Sequence, residues 1–457
     1  MNVSIIGTGY VGLVTGTCLA SAGHRVFCID VNPAVVAQVA SGRAPIHEAG
    51  LNELLEDVTR SGRLSATTDV RTAVLRTDVT LICVGTPSGC SGMDDSQLLS
   101  AAHNVGGALA EKKSYHVVAV KSTVTPGTTE TLVGQTIETY SGRKLGDRWG
   151  LCMNPEFLRE GRAVEDFLSP DRLVIGASDN RAARMLLELY QHFFCPKIVT
   201  AIRTAEMIKY VSNSLFATLI SFSNEIANVC AASLDIDARQ VWKGVHLDRR
   251  LTSNSAESKP VGATEYLWHG LGFGGSCFPK DLKAIRGYAD GLGVPTPILD
   301  AVIATNAMQP LQLVSLLENE MELADRRIAV LGLAFKPGTD DLRESPALAV
   351  ITALRERGAH VVAHDPVAGA RARNHPILRD IDLALDWQAA LTGADACCLV
   401  TAWPEYGSIA PADFLRLMRQ PLVVDGRGFF DAQTLLDAGV NWCGIGYRPE
   451  QRGRHGR

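Results

Sequence analysis

The hydrophobic pattern at the start of the chain alternates short, mostly apolar runs with segments of helical spacing. Val3–Ile6 and Arg25–Ile29 have the length and apolar content of buried strands, and Val11–Ala22 between them has the periodicity of a helix. Two further apolar runs, Val79–Val84 and His116–Val120, predict more strands. Because strands that alternate with helices form parallel sheets covered on both faces, this region predicts a doubly wound α/β domain.

The pattern changes to a continuous helical periodicity between Ala201 and Ala232. No proline interrupts this stretch, which predicts one helix longer than the globular average. A second helical stretch follows Pro297. Long helices between two lobes often serve dimerisation, so we expect a homodimer. The apolar residues at helical spacing are Ile208, Val211, Leu215, Leu219, Phe222, Ile226 and Val229.

A second α/β pattern begins near Asp325. Ala347–Arg357 has helical spacing, and the glycine that follows, Gly358, suits a helix end. We therefore expect an α/β fold with two Rossmann-like doubly wound domains, joined by a long central helix and a helical region. The expected domains are residues 1–198, 199–322 and 323–457. The strands predicted in the last domain are Ile328–Leu331, His360–Ala363, Ala396–Val400 and Leu422–Val424.

Composition narrows the class of protein. The 457 residues are 46% hydrophobic and 20% charged, which suits two or three packed domains. The net charge of −5 argues against a nucleic-acid binder. We expect no signal peptide, no membrane-spanning helix and, from eleven scattered cysteines without a CxxC pair, a reduced cytoplasmic enzyme. A short basic tail predicts only a solvated terminus; it contains Arg448, Arg452, Arg454 and Arg457.

The first strand leads into a glycine-rich turn with the spacing of a dinucleotide-binding motif. Gly7, Gly9 and Gly12 lie between a predicted strand and a predicted helix, where glycines permit a tight turn and close approach of a pyrophosphate. Asp30 ends the second strand, where a carboxylate binds ribose hydroxyls and repels a 2′-phosphate. The turn therefore predicts NAD rather than NADP. The alternative is an ordinary glycine turn with a surface aspartate.

Two later turns carry hydroxyl groups at the ends of predicted strands. Thr86 lies in Val84–Pro87, and Thr123 lies in Lys121–Gly127. Because ligands in such sheets collect at the carboxyl ends of strands, we expect both turns to contact cofactor or substrate. Either could instead be an ordinary turn.

Gly272–Asp281 is the segment that carries the most chemical information. Its sequence, GFGGSCFPKD, places Cys277 after several glycines and just before a proline that suits the first turn of a helix. A cysteine at a helix N-terminus, one turn from Lys280, should have its thiolate favoured. Asp281 would share its helix face. We favour a nucleophile here over a buried cysteine in a glycine turn.

Two further pairs of polar residues are spaced by four. Lys209 and Asn213 lie on what the pattern gives as the more polar side of the long helix, where they could bind an oxyanion. Glu156 and Glu160 lie in the segment NPEFLREG, where one could act as a general acid and the other as a general base. Each pair could also be an ordinary solvated surface.

Taken together, these segments resemble the UDP-glucose/GDP-mannose dehydrogenase family, and within it the branch that oxidises UDP-glucose. The resemblance covers almost the whole chain and implies an N-terminal NAD domain, a central dimerisation region and a C-terminal domain for the sugar nucleotide. It implies oxidation of UDP-glucose to UDP-glucuronate with NAD as cofactor and without a metal. The matching motifs, in the family's order, are GTGYVG, VGTP, KSTVTPGT, NPEFLREG, AEMIKYVSNS, GFGGSCFPKD, FKPGTDDLRESP and DGRG.

The resemblance also implies a covalent mechanism. Cys277 would trap an aldehyde as a thiohemiacetal, and a second hydride transfer would turn this adduct into a thioester. Chemistry supports such a step, because an aldehyde becomes a hydride donor only after a nucleophile adds to it. Lys209 and Asn213 would stabilise the oxyanions.

The remaining catalytic roles implied by the resemblance concern water. Asp281 and Thr123 would position water, and Glu160 would be the acid and base in thioester hydrolysis. The implied cofactor contacts are Gly7, Gly9, Tyr10, Val11, Gly12, Asp30, Thr86, Thr123, Glu160, Lys280 and Arg343. The implied substrate contacts are Glu156, Phe157, Leu158, Arg159, Lys209, Asn213, Tyr266, Phe273, Gly274, Lys336 and Arg427.

One departure from the family pattern concerns the substrate. Family members usually have an arginine shortly before the glycine–cysteine motif, but Lys259–His269 contains none, and Arg249 and Arg250 lie further upstream. The same chemistry on GDP-mannose or a UDP-N-acetylhexosamine therefore stays open. A two-electron hydroxyacid dehydrogenase would leave the second α/β region unexplained. A non-catalytic nucleotide-sugar sensor would predict loss of the chemical residues.

Overall fold

A computed structural model describes residues 1–89, 92–233, 236–251 and 262–447. The chain divides into two compact units. The first contains Met1–Ser212 and Lys283–Leu292, and the second contains Asn213–Leu282 and Gly293–Arg457. The basic tail and the first part of the arginine-free stretch, residues 259–261, lie outside the described residues.

The first unit is built on one large sheet. The strands of this unit are β1 (Asn2–Ile6), β2 (Arg25–Ile29), β3 (Leu64–Thr67), β4 (Val79–Ile82), β5 (Ser88–Gly89), β6 (Gly92–Met93), β7 (His116–Val120), β8 (Trp149–Met153), β9 (Leu173–Ala177) and β10 (Lys197–Thr200). Of these, β5 and β6 form a separate antiparallel hairpin outside the large sheet. Its helices are α1 (Tyr10–Ser21), α2 (Pro33–Ala40), α3 (Leu51–Arg60), α4 (Val70–Arg76), α5 (Ser96–Glu111), α6 (Gln135–Ser141), α7 (Ala163–Leu168) and α8 (Asn180–Leu189), with a π-helical turn at Thr129–Gly134.

The order of these strands creates a crevice at the middle of the sheet. In the described part of the chain the order is β10-β9-β8-β7-β4-β1-β2-β3, and all neighbours run parallel except β8 and β9. The chain winds one way from β1 to β3 and the other way from β4 onward, so the switch point lies between β1 and β4. Every residue of β4 and β7 is buried, as expected for strands covered on both faces.

The long helix that the sequence predicts is present as α9 (Ile202–Ala232), which has 31 residues. It begins in the first unit and continues into the second. By length and composition α9 is the one helix, among the residues described, that could cross a membrane, a test that core helices of soluble proteins also pass.

The second unit contains a smaller parallel sheet and several helices. Its strands are β11 (Arg327–Leu331), β12 (His360–His364), β13 (Asp382–Leu383), β14 (Ala396–Leu399), β15 (Leu422–Asp425) and β16 (Asn441–Gly444). The helices are α10 (Ala238–His246), α11 (Phe278–Gly291), α12 (Pro297–Glu320), α13 (Pro346–Glu356), α14 (Gly369–Ala372), α15 (Trp387–Leu391), α16 (Pro411–Leu417) and α17 (Ala432–Asp437); α11 ends in the first unit. Short 3₁₀ turns lie at Ala263–Tyr266 and Pro404–Ser408.

The second sheet has the strand order of a nucleotide-binding fold. For the described residues that order is β13-β12-β11-β14-β15-β16, and all pairs are parallel. Two doubly wound Rossmann-like folds and a long central helix are therefore confirmed. The predicted end of α13 is also present, because Gly358 adopts the left-handed conformation with φ +79° just after the helix.

Candidate active site

The glycine-rich turn after β1 leaves room for a ligand at one point and none at two others. Gly7 has φ +93°, and a Cβ there would lie 2.8 Å from the carbonyl oxygen of Cys83. A Cβ on Gly12 would collide with the carbonyl oxygen of Gly7, whereas a Cβ on Gly9 would meet nothing within 4 Å. The turn is thus tightly packed on the protein side and open at Gly9, where the amides at the start of α1 can receive a pyrophosphate.

Asp30 links the end of β2 to this turn. Its carboxylate accepts hydrogen bonds from the amides of Thr8 and Asn32, each at 2.9 Å. It is only partly buried. The negative charge therefore stands beside the turn, where it suits ribose hydroxyls and disfavours a 2′-phosphate.

The two hydroxyl-bearing turns predicted from the sequence contact each other. The Thr86 hydroxyl donates to the carbonyl oxygen of Thr123 at 2.9 Å. A buried glutamate of α9, Glu206, accepts from the amides of Gly127 and Thr129 at 2.6 and 2.8 Å and so fixes the turn that follows Thr123. Both turns lie at the carboxyl ends of adjacent strands, β4 and β7, next to the switch point.

Lys209 and Glu156 form a buried ion pair within the first unit. Lys209 Nζ lies 2.9 Å from Glu156 Oε1, and the side chains are only 4% and 7% exposed. Burial raises the pKa of Glu156, but the charge and hydrogen bond of Lys209, together with the Leu158 amide and the Lys121 charge, bring the pKa below its usual value. Lys209 also lies 5.5 Å from the centre of the Phe157 ring. The alternative of a solvated surface is wrong for Lys209, because the Glu156 carboxylate allows its charge to be buried.

A second buried lysine supports the same segment. Lys121 Nζ donates to Asn154 Oδ1 at 3.1 Å, and the Tyr190 hydroxyl donates to the same oxygen at 2.7 Å. Burial lowers the pKa of Lys121. The position of Lys121 at the start of the KSTV motif does not by itself predict this contact, which joins residues 33 apart in the sequence.

Residues 154–161 form an irregular segment rather than a helix. Glu156 Oε2 accepts from the Leu158 amide at 2.6 Å, and Arg159 donates from its amide and guanidinium to Asp166. Glu156 thus forms an ion pair with Lys209, while Glu160 lies near Tyr10 of the cofactor turn. The two carboxylates therefore have different surroundings, as separate roles would require.

In the second unit, Cys277 immediately precedes α11. The amide of Asp281 donates to the carbonyl oxygen of Cys277 at 2.9 Å, so the two residues are one helical turn apart, as the spacing predicts. The buried Asp281 carboxylate accepts from Asn213 Nδ2 at 2.6 Å and from Lys280 Nζ at 2.5 Å. Asn213 is itself buried, so the alternative of a solvated surface is wrong for this residue as well.

The glycine loop before Cys277 packs against the FKPGTDDLRESP segment. A Cβ on Gly275 would lie 2.8 Å from the Phe335 ring, and the Gly275 amide donates to the carbonyl oxygen of Arg343 at 2.8 Å. Lys336 follows Phe335, and its Nζ lies 5.4 Å from the centre of that ring. The guanidinium of Arg343 pairs with Asp341 at 2.7 Å. These contacts bring Lys336 and Arg343 beside the loop.

Three side-chain amides hold the start of the same loop. Asn306 accepts from the Phe273 amide at 2.8 Å and donates to the Phe273 carbonyl at 3.0 Å. Gln309 donates to the Gly270 carbonyl at 2.8 Å, and Asn224 accepts from the Gly270 amide at 2.7 Å. No spacing in the sequence links these three residues to the loop, since only the folded chain brings them to it.

Arg427 reaches this loop from the DGRG motif. Its guanidinium donates to the carbonyl oxygens of Val400 at 2.8 Å and Gly272 at 3.4 Å. Burial lowers the pKa of Arg427 to about 10, so it remains charged at neutral pH. Tyr266 stacks on Phe216, with 4.1 Å between ring centres. Across the described ranges, no group of three or more His, Cys, Asp or Glu side chains is arranged to hold a metal ion.

Comparison with known proteins gives full-length matches. Three family models match in order: the NAD binding domain of the UDP-glucose/GDP-mannose dehydrogenase family at residues 1–194, its central domain at 203–308 and its UDP binding domain at 329–432. A UDP-glucose 6-dehydrogenase of Haloferax volcanii, AglM, is 42% identical, with 96% of this chain and 99% of the relative covered. The chain belongs to the UDP-glucose/GDP-mannose dehydrogenase family.

Two further relatives of this family member bear on fold and substrate. A structure of a UDP-glucose dehydrogenase from Pyrobaculum islandicum superposes with a TM-score of 0.88 at 41% identity, covering 98% of both chains. A GDP-mannose 6-dehydrogenase of Azotobacter vinelandii is 37% identical and covers 97% of this chain and all of its own. This dehydrogenase therefore uses NAD to oxidise a nucleotide sugar, and the cofactor turn and Asp30 fit that cofactor.

Proposed function

We propose that this enzyme oxidises the primary alcohol of UDP-glucose to a carboxylate, giving UDP-glucuronate, with Cys277 as covalent catalyst. The observation that carries the proposal is the position of Cys277 directly before α11, with the Asp281 carboxylate one turn away and bonded to Asn213 and Lys280. The relatives named UDP-glucose 6-dehydrogenase support the substrate.

Four electrons leave the sugar in this reaction. NAD, when bound, would supply the hydride acceptor for each of the two oxidations. The alcohol loses a hydride and a proton to give an aldehyde, and the Cys277 thiolate adds to the carbonyl carbon while the oxygen takes up a proton. Loss of a second hydride and that proton leaves a thioester. Water then adds, the carbon–sulfur bond breaks, and the carboxylate and the Cys277 thiol are released.

The remaining residues have roles that suit their contacts. The Lys209 ammonium and the Asn213 amide would stabilise negative oxygen, Thr123 would hold a water, and Glu160 would transfer the proton in hydrolysis. Asp281 would position water beside Lys280 and Asn213. Side chains proposed to contact the sugar nucleotide are Lys336, Arg427, Tyr266 and Phe157, while Arg343 and Lys280 would contact the cofactor.

The stoichiometry of the reaction tests this proposal. With UDP-glucose, GDP-mannose or a UDP-N-acetylhexosamine as the limiting substrate, we expect two NADH per molecule of UDP-glucose, because the product is a carboxylate. Absorbance of NADH and chromatography of the product measure this ratio. Two NADH from a different sugar nucleotide would keep the mechanism and change the substrate. One NADH per molecule would show that the enzyme is only a two-electron alcohol dehydrogenase, which would contradict the proposal.

We also propose that the enzyme is a cytoplasmic homodimer with an NAD domain at 1–198, a helical dimerisation and catalytic domain at 199–322 and a UDP-sugar domain at 323–457. Ten free cysteines in the described residues support a reducing compartment. A stripe on α9 supports the dimer, because four of its large apolar side chains are each more than half exposed. These side chains are Val211, Leu215, Phe222 and Val229.

A charge in this stripe is expected to dissociate the dimer. Leu215→Glu would place a carboxylate in the apolar interface, and light scattering should then give the 49.0 kDa mass of one chain instead of twice that mass. Leu385→Glu is the matched control, since Leu385 is 86% exposed and lies outside the stripe. A Leu215→Glu protein that keeps the wild-type mass would exclude this surface as the interface.

A further inference from the structure

Glu48 is a buried carboxylate that contacts both the cofactor turn and the segment that carries Glu160. It lies in the loop between α2 and α3 and is 4% exposed. One carboxylate oxygen accepts from the Tyr10 hydroxyl and from the Gly161 amide, the latter at 2.7 Å. The other oxygen accepts from the Ala163 amide at 2.8 Å. Glu48 therefore contacts the first residues of both α1 and α7.

Tyr10 completes this connection from the side of the cofactor turn. It is the first residue of α1, and its hydroxyl oxygen also accepts from the Gly161 amide at 3.1 Å. Burial, the hydrogen bond to Glu48 and the nearby charge of Glu160 raise the pKa of the Tyr10 hydroxyl, so it stays protonated and can donate to Glu48. Helices α1 and α7 also pack together.

These contacts fix the backbone next to Glu160. The segment from Asn154 to Gly161 is irregular, so helical hydrogen bonds do not determine its path. Burying a carboxylate is costly unless hydrogen-bond donors pair with its oxygens. For Glu48, the backbone donors are the amide of the residue after Glu160 and the amide at the start of α7. The backbone on the C-terminal side of Glu160 is thus held by Glu48 through the amide of the next residue, Gly161.

We propose that Glu48 is a positioning residue for thioester hydrolysis, which acts by fixing the Glu160 segment against the cofactor turn. The inference rests on the proposed function, in which Glu160 moves a proton from the attacking water to the departing Cys277 thiolate. Glutamine at position 48 would turn its amide NH2 group either toward the Ala163 amide or toward the Gly161 amide and the Tyr10 hydroxyl, so at least one of these donors would lose its acceptor.

The test compares Glu48→Gln with Glu160→Gln and with the control Glu53→Gln, whose side chain is exposed on α3. We expect Glu48→Gln to lower kcat about tenfold to a hundredfold, as loss of a supporting hydrogen bond does at other sites. Because hydrolysis would become slow, NADH should form in a rapid burst. Intact-protein mass after acid quenching should show the sugar-nucleotide thioester on the enzyme, as in Glu160→Gln. Glu53→Gln should match the wild type.

The double variant Glu48→Gln/Glu160→Gln distinguishes positioning from a general structural role. If Glu48 acts through Glu160, the double variant should have the kcat of Glu160→Gln within about twofold. Multiplied losses, or a Glu48→Gln enzyme with slow turnover and no adduct, would overturn the proposal while leaving the covalent mechanism intact. If Glu160→Gln also forms no adduct, the proposed function fails with it. Tyr10→Phe, which keeps the two amide donors of Glu48, is the milder variant should Glu48→Gln fold poorly, and it should accumulate a smaller amount of the same adduct.

Discussion

Cys277→Ala is expected to abolish formation of the carboxylate, with a loss in kcat on the order of 10⁴-fold or more. Without the thiol the aldehyde has no nucleophile to convert it into a hydride donor, so the second oxidation stops. NADH formed with limiting UDP-glucose should fall from two per molecule to one or less. Stopped-flow absorbance and intact-protein mass measure these quantities, and no covalent adduct should form.

Cys195→Ala provides the matched control. Among the cysteines in the described residues, Cys195 and Cys277 are the two that are only partly buried, so they match in exposure. Cys195 follows the exposed Phe194 in the first unit and has no proposed part in the reaction. Its alanine variant should keep two NADH per sugar and form the thioester. A Cys277→Ala enzyme that still makes the carboxylate would show that water alone adds to the aldehyde.

The parts of the site that the sequence predicts are those in which neighbours along the chain determine the geometry. The turn from Gly7 to Gly12 follows from glycine spacing between a strand and a helix. Cys277 and Asp281 are one turn apart because α11 starts between them. Such relations need only local periodicity, so a single sequence contains them.

Contacts between distant segments explain what the sequence did not predict. Glu48 bonds to an amide 113 residues away, and Asn306 bonds to Phe273 across 33 residues. No spacing rule links such residues. The strand β8 also escaped prediction, since Trp149–Met153 contains no β-branched residue, and the apolar run of the edge strand β10 is only two residues long, Ile198 and Val199.

The burial of Lys209 is a second case in which a contact between distant segments, here an ion pair, could not be predicted. A lysine in an apolar helix is solvated unless a carboxylate meets it, and Glu156 comes from a segment about fifty residues earlier. In the sequence, Lys209 and Glu156 therefore belong to two separate polar motifs with no visible connection. Only in the folded chain do they form one group with a shared charge balance.

Lys209→Met is expected to destabilise the protein by about 3–5 kcal/mol at neutral pH, because Glu156 would remain buried without its counter-charge. Urea unfolding measures this loss. The double variant Lys209→Met/Glu156→Leu removes both charges and should recover most of the stability, yet it should stay inactive, since the proposed oxyanion contact is gone. Recovery of activity together with stability would show that the pair is structural only.

The pH dependence of the stability of Lys209→Met independently tests whether the buried Glu156 charge causes the predicted loss of stability. In the wild type the folded pKa of Glu156 lies below its usual value, so its stabilising contribution is present at neutral pH and is lost only as the pH falls through that low folded value. In Lys209→Met, burial without Lys209 should raise the folded pKa, with partial relief from nearby Lys121. Protonation of Glu156 then removes the buried charge, so the stability gap to the wild type should shrink between pH 7.5 and pH 5. A gap that stays constant over this range would mean that lost packing, rather than the uncompensated carboxylate, causes the instability.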